Sequence, residues 1–361
     1  MNVTLRLKKA VITAAAVGLA AAVLIFSAEI RQGVVKGLSL SAYSVIPSLF
    51  LFTAAALFIV KSGAGRILGR AVSPITKVLF GLNAEEAAVF LISATAGYPV
   101  GAKLLNSLYL DGKISRAKAL KMLCFSVNAG PAFIIATVGE GFLKCRGDGY
   151  RLLICHIISA FILAAAVRFL PDRLFARGLS IKKQTSQLNE KSAISDIFVL
   201  SVLEAGKTML NVTIFVVFFA GISGGLSVLS FKGADLIKAL LEVTSCLSQI
   251  SRRKLNFAAF LLGFGGISVI FQVISSAESL KPKFTVILCS RLCHGGLSYI
   301  SAVIFEALFP RNLAAGSFNL QPDNAALHTS PAAALSLILL LIVILWFLGN
   351  TSNVIKSFSL R

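Results

Sequence analysis

The sequence predicts an all-α polytopic membrane protein with two inverted-topology repeats, each carrying a re-entrant broken-helix hairpin. Three observations predict it: a composition too apolar for water, apolar runs of spanning length, and two glycine breaks at matched positions. Of the 361 residues, 57% are hydrophobic and only 14% are charged, and the mean hydropathy is +0.86. Soluble domains carry roughly 45–50% apolar and about 25% charged residues. A single soluble core, a disordered chain and a disulfide framework are therefore excluded. The 35 Lys and Arg against 15 Asp and Glu leave a formal charge of +20. In a soluble chain that excess would point to nucleic acid. Between apolar runs it suits cytoplasmic loops and anionic headgroups, so the bilayer is the expected partner and no nucleic acid is.

A spanning helix needs about 20 mostly apolar residues. Residues 10–28, 44–60, 122–140, 152–170, 208–229, 284–308 and 331–349 qualify, and 84–110 and 255–277 are apolar but interrupted by glycine. Arg6, Lys8 and Lys9 precede the first run, which is too long for a signal-peptide core and reads as an uncleaved helix with a cytoplasmic N-terminus. The polar stretch 171–191, with Arg173, Arg177, Lys182, Lys183 and Lys191, falls on the same side if 84–110 enters and leaves by one face. Lys232, Lys238, Arg252, Arg253 and Lys254 run against that count. The expected order is an N-terminal helix (1–29), a first repeat (30–140), a span and basic linker (141–195), a second repeat (196–308), and a C-terminal helix and tail (309–361).

The repeat rests on one ungapped offset of 166 residues. It carries Gly97-Tyr98 onto Gly263-Phe264, Asn106 onto Gln272, Asn128 onto His294, and Gly130 onto Gly296. An odd number of crossings between the units gives them opposite orientations. Inverted repeats are a common construction of secondary transporters, with substrate near the midplane between them. Duplication without transport is the other reading.

The first break is Ala96-Gly97-Tyr98-Pro99-Val100-Gly101-Ala102-Lys103. Proline lacks an N–H and glycine permits unwound backbone, and unwound backbone at membrane depth must be buried in protein or face a cavity. Lys103 is either an interior-facing cation or one that snorkels to the interface. The second break, around Gly263-Phe264-Gly265-Gly266-Ile267-Ser268 with Gln272, reads as exposed amides or as close helix packing. Downstream lie Asn128-Ala129-Gly130-Pro131 and Arg291-Leu292-Cys293-His294. Arg291 and His294 share a helix face, and with Lys103 they would make a positive midplane suited to an anion. Broken-helix N-termini would add donors. Glu242, in Leu241-Glu242-Val243-Thr244-Ser245, is the expected counter-charge, and a structural Glu242–Arg291 ion pair is the competing reading. Glu85 and Glu86 suit a helix N-terminus.

The six cysteines show no zinc-type spacing. Cys289, Cys293 and His294 can be drawn as a metal corner, but such cysteines are more often small apolar residues. No nucleophile elbow, phosphate loop or zinc-protease motif occurs. Neither an enzyme, a cofactor nor a metal is expected.

Five motifs in order, Gly97–Lys103, Asn128–Pro131, Leu241–Ser245, Gly263–Ser268 with Gln272, and Arg291–Gly295, resemble the YlbJ-type sporulation integral membrane proteins. That family sits in the nucleoside-recognition or Gate domain group, related to concentrative nucleoside transporters. Cys246 departs from the glycine frequent there in the family. The resemblance implies a fold like those transporters and a role in sporulation. It also implies movement of dipicolinic acid across the outer, mother-cell-derived membrane around the forespore. A small planar dianion agrees in sign with Lys103, Arg291 and His294, and an Arg fork matches a carboxylate. A non-transporting scaffold or gate subunit for spore assembly, and a nucleoside transporter, are the alternatives. The candidate binding set is Gly97, Tyr98, Pro99, Gly101, Lys103, Asn128, Gly130, Glu242, Ser245, Gly265, Gly266, Ser268, Gln272, Arg291 and His294. The sequence leaves the oligomeric state, a homo-oligomer included, open.

Overall fold

The structure, a computed structural model, describes residues 2–176, 193–228, 234–248 and 254–310. Every described element is helical. Helix α1 (Asn2–Ile25) covers most of the expected first span. The next helix, α2 (Ser27–Leu40), runs through a π-helical turn at Ser41–Val45 into α3 (Ile46–Lys61). Pro47 has no N–H to continue the ladder, and a widened turn just ahead of it relieves the clash of its ring with the preceding carbonyls. Two left-handed glycines, Gly63 (φ 80°) and Gly81 (φ 66°), bound α4 (Ala64–Phe80).

Asn83 and Glu86 form a reciprocal capping box at the start of α5 (Ala84–Ala96), the role expected of an acid there. After Gly97 comes α6 (Tyr98–Leu110), with proline in its first turn, then α7 (Arg116–Leu123), capped by Ser115. The remaining elements are α8 (Arg146–Arg168), α9 (Arg173–Ala176), α10 (Ile194–Leu226), α11 (Ala234–Leu241), α12 (Val243–Leu247), α13 (Leu255–Phe264), α14 (Gly266–Ser276) and α15 (Phe284–Leu308). Small residues join α2 to α10. A Cβ on Gly33 would overlap the Ala220 carbonyl, and one on Gly37 would lie 2.9 Å from the Ala220 side chain. Close approach of this kind is how helices associate where lipid supplies no hydrophobic drive.

Among the described residues five helical stretches are long and apolar enough to cross a membrane: Ser27–Lys61, Arg146–Arg168, Ile194–Leu226, Leu255–Ser276 and Phe284–Leu308. A sixth is added if α4 and α5 count together. Two expectations are corrected. The stretch 122–140 is not one span: α7 stops at Leu123, residues 127–130 are unwound, and a π-helix follows over Phe133–Phe142. Neither glycine-broken stretch has a hairpin loop: only Gly97 separates α5 from α6, and the second stretch is alike. Only Gly265 separates α13 from α14, whereas helical hairpins need a loop of about 2–5 residues. Its halves have different neighbours, α13 packing on α15 and α8, α14 on α6 and α10. The sharp turn comes at Gly81–Asn83, where α4 and α5 meet at 93°. The linker cations Arg177, Lys182, Lys183 and Lys191, with Lys232, Arg252, Arg253 and the run 331–349, lie outside the described residues.

Candidate functional site

Two helix interruptions line one cavity, and a third lies against the second of them. Gly97 divides α5 from α6, Glu242 divides α11 from α12, and Gly265 divides α13 from α14. Gly97, Tyr98, Pro99, Gly130, Glu242, Thr244, Ser268 and Gln272 line the space, against Leu49 of α3 and Val212 and Val216 of α10. Its free volume is about 30 Å³, room for roughly two water molecules.

Glycines let the interruptions converge. Gly97 adopts φ 96° and ψ 172°, a region essentially closed to side chains, which ends α5 and starts α6 in one residue. Gly130 lies against it: an added Cβ would be 3.1 Å from the Thr95 carbonyl oxygen and 3.3 Å from the Gly97 nitrogen. Gly266 (φ 80°) brings the start of α14 onto the α11–α12 break, with Leu240 O, Leu241 O and Val243 N all 3.3 Å from a would-be Cβ. A Cβ on Gly101 would overlap the Ser126 carbonyl, so this glycine packs α6 on the unwound strand and does not line the cavity.

The cavity's polar groups are held from within. Glu242 accepts a hydrogen bond at Oε1 from the Thr244 amide, 2.9 Å, and so caps α12. Gln272 donates from Nε2 to Ser268 Oγ, 3.2 Å, one turn earlier on α14. The helix start of α14 abuts the cavity with amides that have no intrahelical acceptor, whereas in the first turn of α6 Pro99 has no N–H and the Val100 amide donates to Gly97 O, 3.2 Å, which leaves the Tyr98 amide.

Arg291 and His294 are fully buried, yet neither lines the cavity. Arg291 donates to the carbonyls of Val127, Cys124 (2.8 Å) and Gly263 (3.4 Å). These oxygens belong to the ends of α7 and α13, where carbonyls lack helical partners and the dipole is negative. The guanidinium is thus neutralised by backbone, and the expected ion pair with Glu242 does not form. His294 Nε2 lies 3.3 Å from the His156 carbonyl oxygen, with the two imidazoles at 4.5 Å. His156 Nε2 in turn accepts from the Ala129 amide at 3.0 Å. Tyr98 ties the halves together by donating its hydroxyl to Leu262 O, 2.7 Å.

The expected triad of Lys103, Arg291 and His294 around one ligand does not assemble. Lys103 is half-buried on α6, outside the cavity lining, and makes no ion pair among the described residues. Asn128, also away from the cavity, donates to the Phe125 carbonyl at 2.9 Å. Ser245 lies in α12, its side chain outside the described residues. Cys289 and Cys293 are exposed while His294 is buried, so the metal corner drawn from spacing is not brought together. Among the described residues no group of three His, Cys, Asp or Glu is placed to hold an ion. Sequence reasoning missed Thr244 and His156. A lone histidine inside the apolar run 152–170 was the available signal.

The chain is similar to the Sporulation integral membrane protein YlbJ of Bacillus subtilis (strain 168), with 25% identity over 312 residues, covering 75% of each chain. The likeness read from the five motifs is borne out by that match. No protein-family profile matches the chain, and no solved structure does.

Proposed function

We propose that the chain is a secondary transporter of sporulating cells, a carrier and not an enzyme, which moves a small anion through the cavity where its broken helices meet. The proposed solute is dipicolinic acid and the proposed membrane is the one surrounding the forespore. The convergence of helix interruptions on one cavity, mostly apolar but with Glu242, Thr244, Ser268 and Gln272 in its wall, carries this reading, because unwound backbone at membrane depth is a mark of transporter sites. Glu242 occupies the start of α12, which leaves the positive ends of α6 and α14 for the carboxylates of a ligand. The cavity has space for about two waters, so a solute is accommodated only when its walls move apart.

The inverted-repeat reading draws support from element boundaries. On the 166-residue offset, Ser27–Lys61 falls on α10, α4 on α11 with α12, α5 on α13, α6 on α14, and α7 with the π-helix on α15. Tyr98 to Leu262, Arg291 to Cys124 and Val127, and Arg116 to Leu280 (3.0 Å) are hydrogen bonds between the units. Such a pair of units would alternate access by moving against each other. The match to a protein named for sporulation supports the cellular setting.

Uptake of labelled dipicolinate into vesicles reconstituted with the purified chain tests the proposal. Wild type should exceed empty vesicles. Gln272→Ala should lower initial uptake about ten-fold, since one hydrogen bond to a charged ligand is worth about 1.5–3 kcal/mol. Lys103→Ala should leave it near wild type. Wild-type uptake equal to empty vesicles, with monodisperse protein, would overturn the transport reading. Undiminished uptake by Gln272→Ala would move the site elsewhere.

A further inference from the structure

We propose that α4 is an interfacial helix whose basic stripe, with the groove beside it, binds the phosphate headgroups of anionic lipids, independently of what the cavity carries. At 3.6 residues per turn, α4 divides into three sectors. Gly65, Gly69, Thr76 and Phe80 are buried and face the protein. Arg66, Arg70 and Lys77 follow one another at spacings of four and seven, which places them on one stripe. Next to that stripe, away from the protein, runs an apolar one in which Ile67, Ile75 and Val78 are 40%, 64% and 72% exposed, with Leu68 and Leu79 about half exposed.

A helix with one apolar stripe in the open and a basic stripe adjoining it matches the boundary between acyl chains and headgroups. Its axis turns away from the next helix, α4 lying at 93° to α5, as a helix that leaves the direction of its neighbour for the interface would. The charge is available. Arg66 is engaged by Glu85, but Arg70 and Lys77 have no carboxylate partner among the described residues.

The adjoining groove opens beside the end of that stripe. It holds about 610 Å³ and is lined by Lys77, Lys113 and Lys118. Two of these lysines have carboxylate partners, Lys118 in Glu86 and Lys113 in Asp111, and Asp172 pairs with Lys121, so Lys77 is the groove cation left for a ligand. A negatively charged headgroup complements it, and a zwitterionic one gains little. The apolar stripe makes the occupant a lipid, because a free anion would leave that stripe in water.

The test is native mass spectrometry of the full chain in detergent with equal amounts of phosphatidylglycerol and phosphatidylcholine of matched acyl chains. Wild type should retain phosphatidylglycerol selectively. Each basic group near an anionic surface is worth about 1 kcal/mol, or about five-fold. The double variant Arg70→Gln with Lys77→Gln should therefore lose roughly 25-fold of the preference, while Arg70→Lys with Lys77→Arg keeps it. Both side chains are exposed, so the delipidated variants should unfold at the wild-type temperature. Three results would overturn the proposal: equal retention of both lipids by wild type, full retention by the double glutamine variant, or displacement of the lipid by inorganic phosphate. So would a Val78→Cys variant that crosslinks to a second copy whether or not anionic lipid is present.

Discussion

At the scale of single residues, the costliest group in the molecule is Arg291, a cation buried completely and met by backbone carbonyls alone in the bonds it donates. Its position on α15 makes it the clip that holds the end of α7 and the end of α13 together. Arg291→Ala would strand at least two buried carbonyls, each costing about 1–3 kcal/mol. It should cut the yield of monodisperse protein and lower the unfolding temperature in detergent, and Arg291→Lys, lacking the planar fork, should recover only part of the loss. Lys103→Ala should change stability by less than about 0.5 kcal/mol, as surface substitutions do. The sequence read both cations as ligand groups from their cost in a membrane. For Arg291 the cost argument led to a fully buried position, while Lys103 is half-buried and outside the cavity; the identity of a partner is a matter of distance and has no trace in spacing.

At the scale of elements, glycine was legible as a breaker and less so as a spacer. Gly97 and Gly265 end helices with positive φ, as their flanking residues suggested. Gly101 and Gly296 look alike in the sequence and differ in space. A Cβ on Gly101 would overlap the Ser126 carbonyl, whereas one on Gly296 meets nothing within 4 Å. Gly101→Ala should destabilise by about 1–3 kcal/mol. Gly296→Ala, in the middle of α15, should stabilise by up to about 1 kcal/mol through helix propensity. Thermal unfolding of the two variants beside wild type checks both signs. The hairpins expected at 84–110 and 255–277 failed for a related reason. A break shows in composition, but whether the chain turns back depends on loop length and on which neighbours the two halves find. Ahead of Pro131 the chain is unwound over residues 127–130, and Arg291 donates to the Val127 carbonyl freed there.

At the scale of the whole molecule, the two halves are joined by polar contacts of long sequence separation. Asn106 accepts from the Ser279 amide at 3.0 Å, across the proposed unit boundary. If one unit moves against the other during transport, Asn106→Cys with Ser279→Cys, made in a background without the six native cysteines, should abolish dipicolinate uptake when oxidised and restore it on reduction. Uptake that persists in the oxidised form, with the crosslink verified by mass, would show that the cavity opens without motion at this boundary.

The sequence by itself determined the class of the molecule, the rough limits of the apolar helices around 44–60, 152–170, 208–229 and 284–308, and the places where helices are interrupted. These follow from local quantities: hydropathy over about 20 residues, and the backbone freedom of glycine and proline. Only the tertiary structure decided which interruptions meet, that Glu242 and Gln272 face the cavity while Arg291 and His294 support it from behind, and that α4 lies crosswise to α5. Those outcomes depend on packing between segments far apart in the chain, where a shift of one helix face exchanges a lining side chain for a buried one.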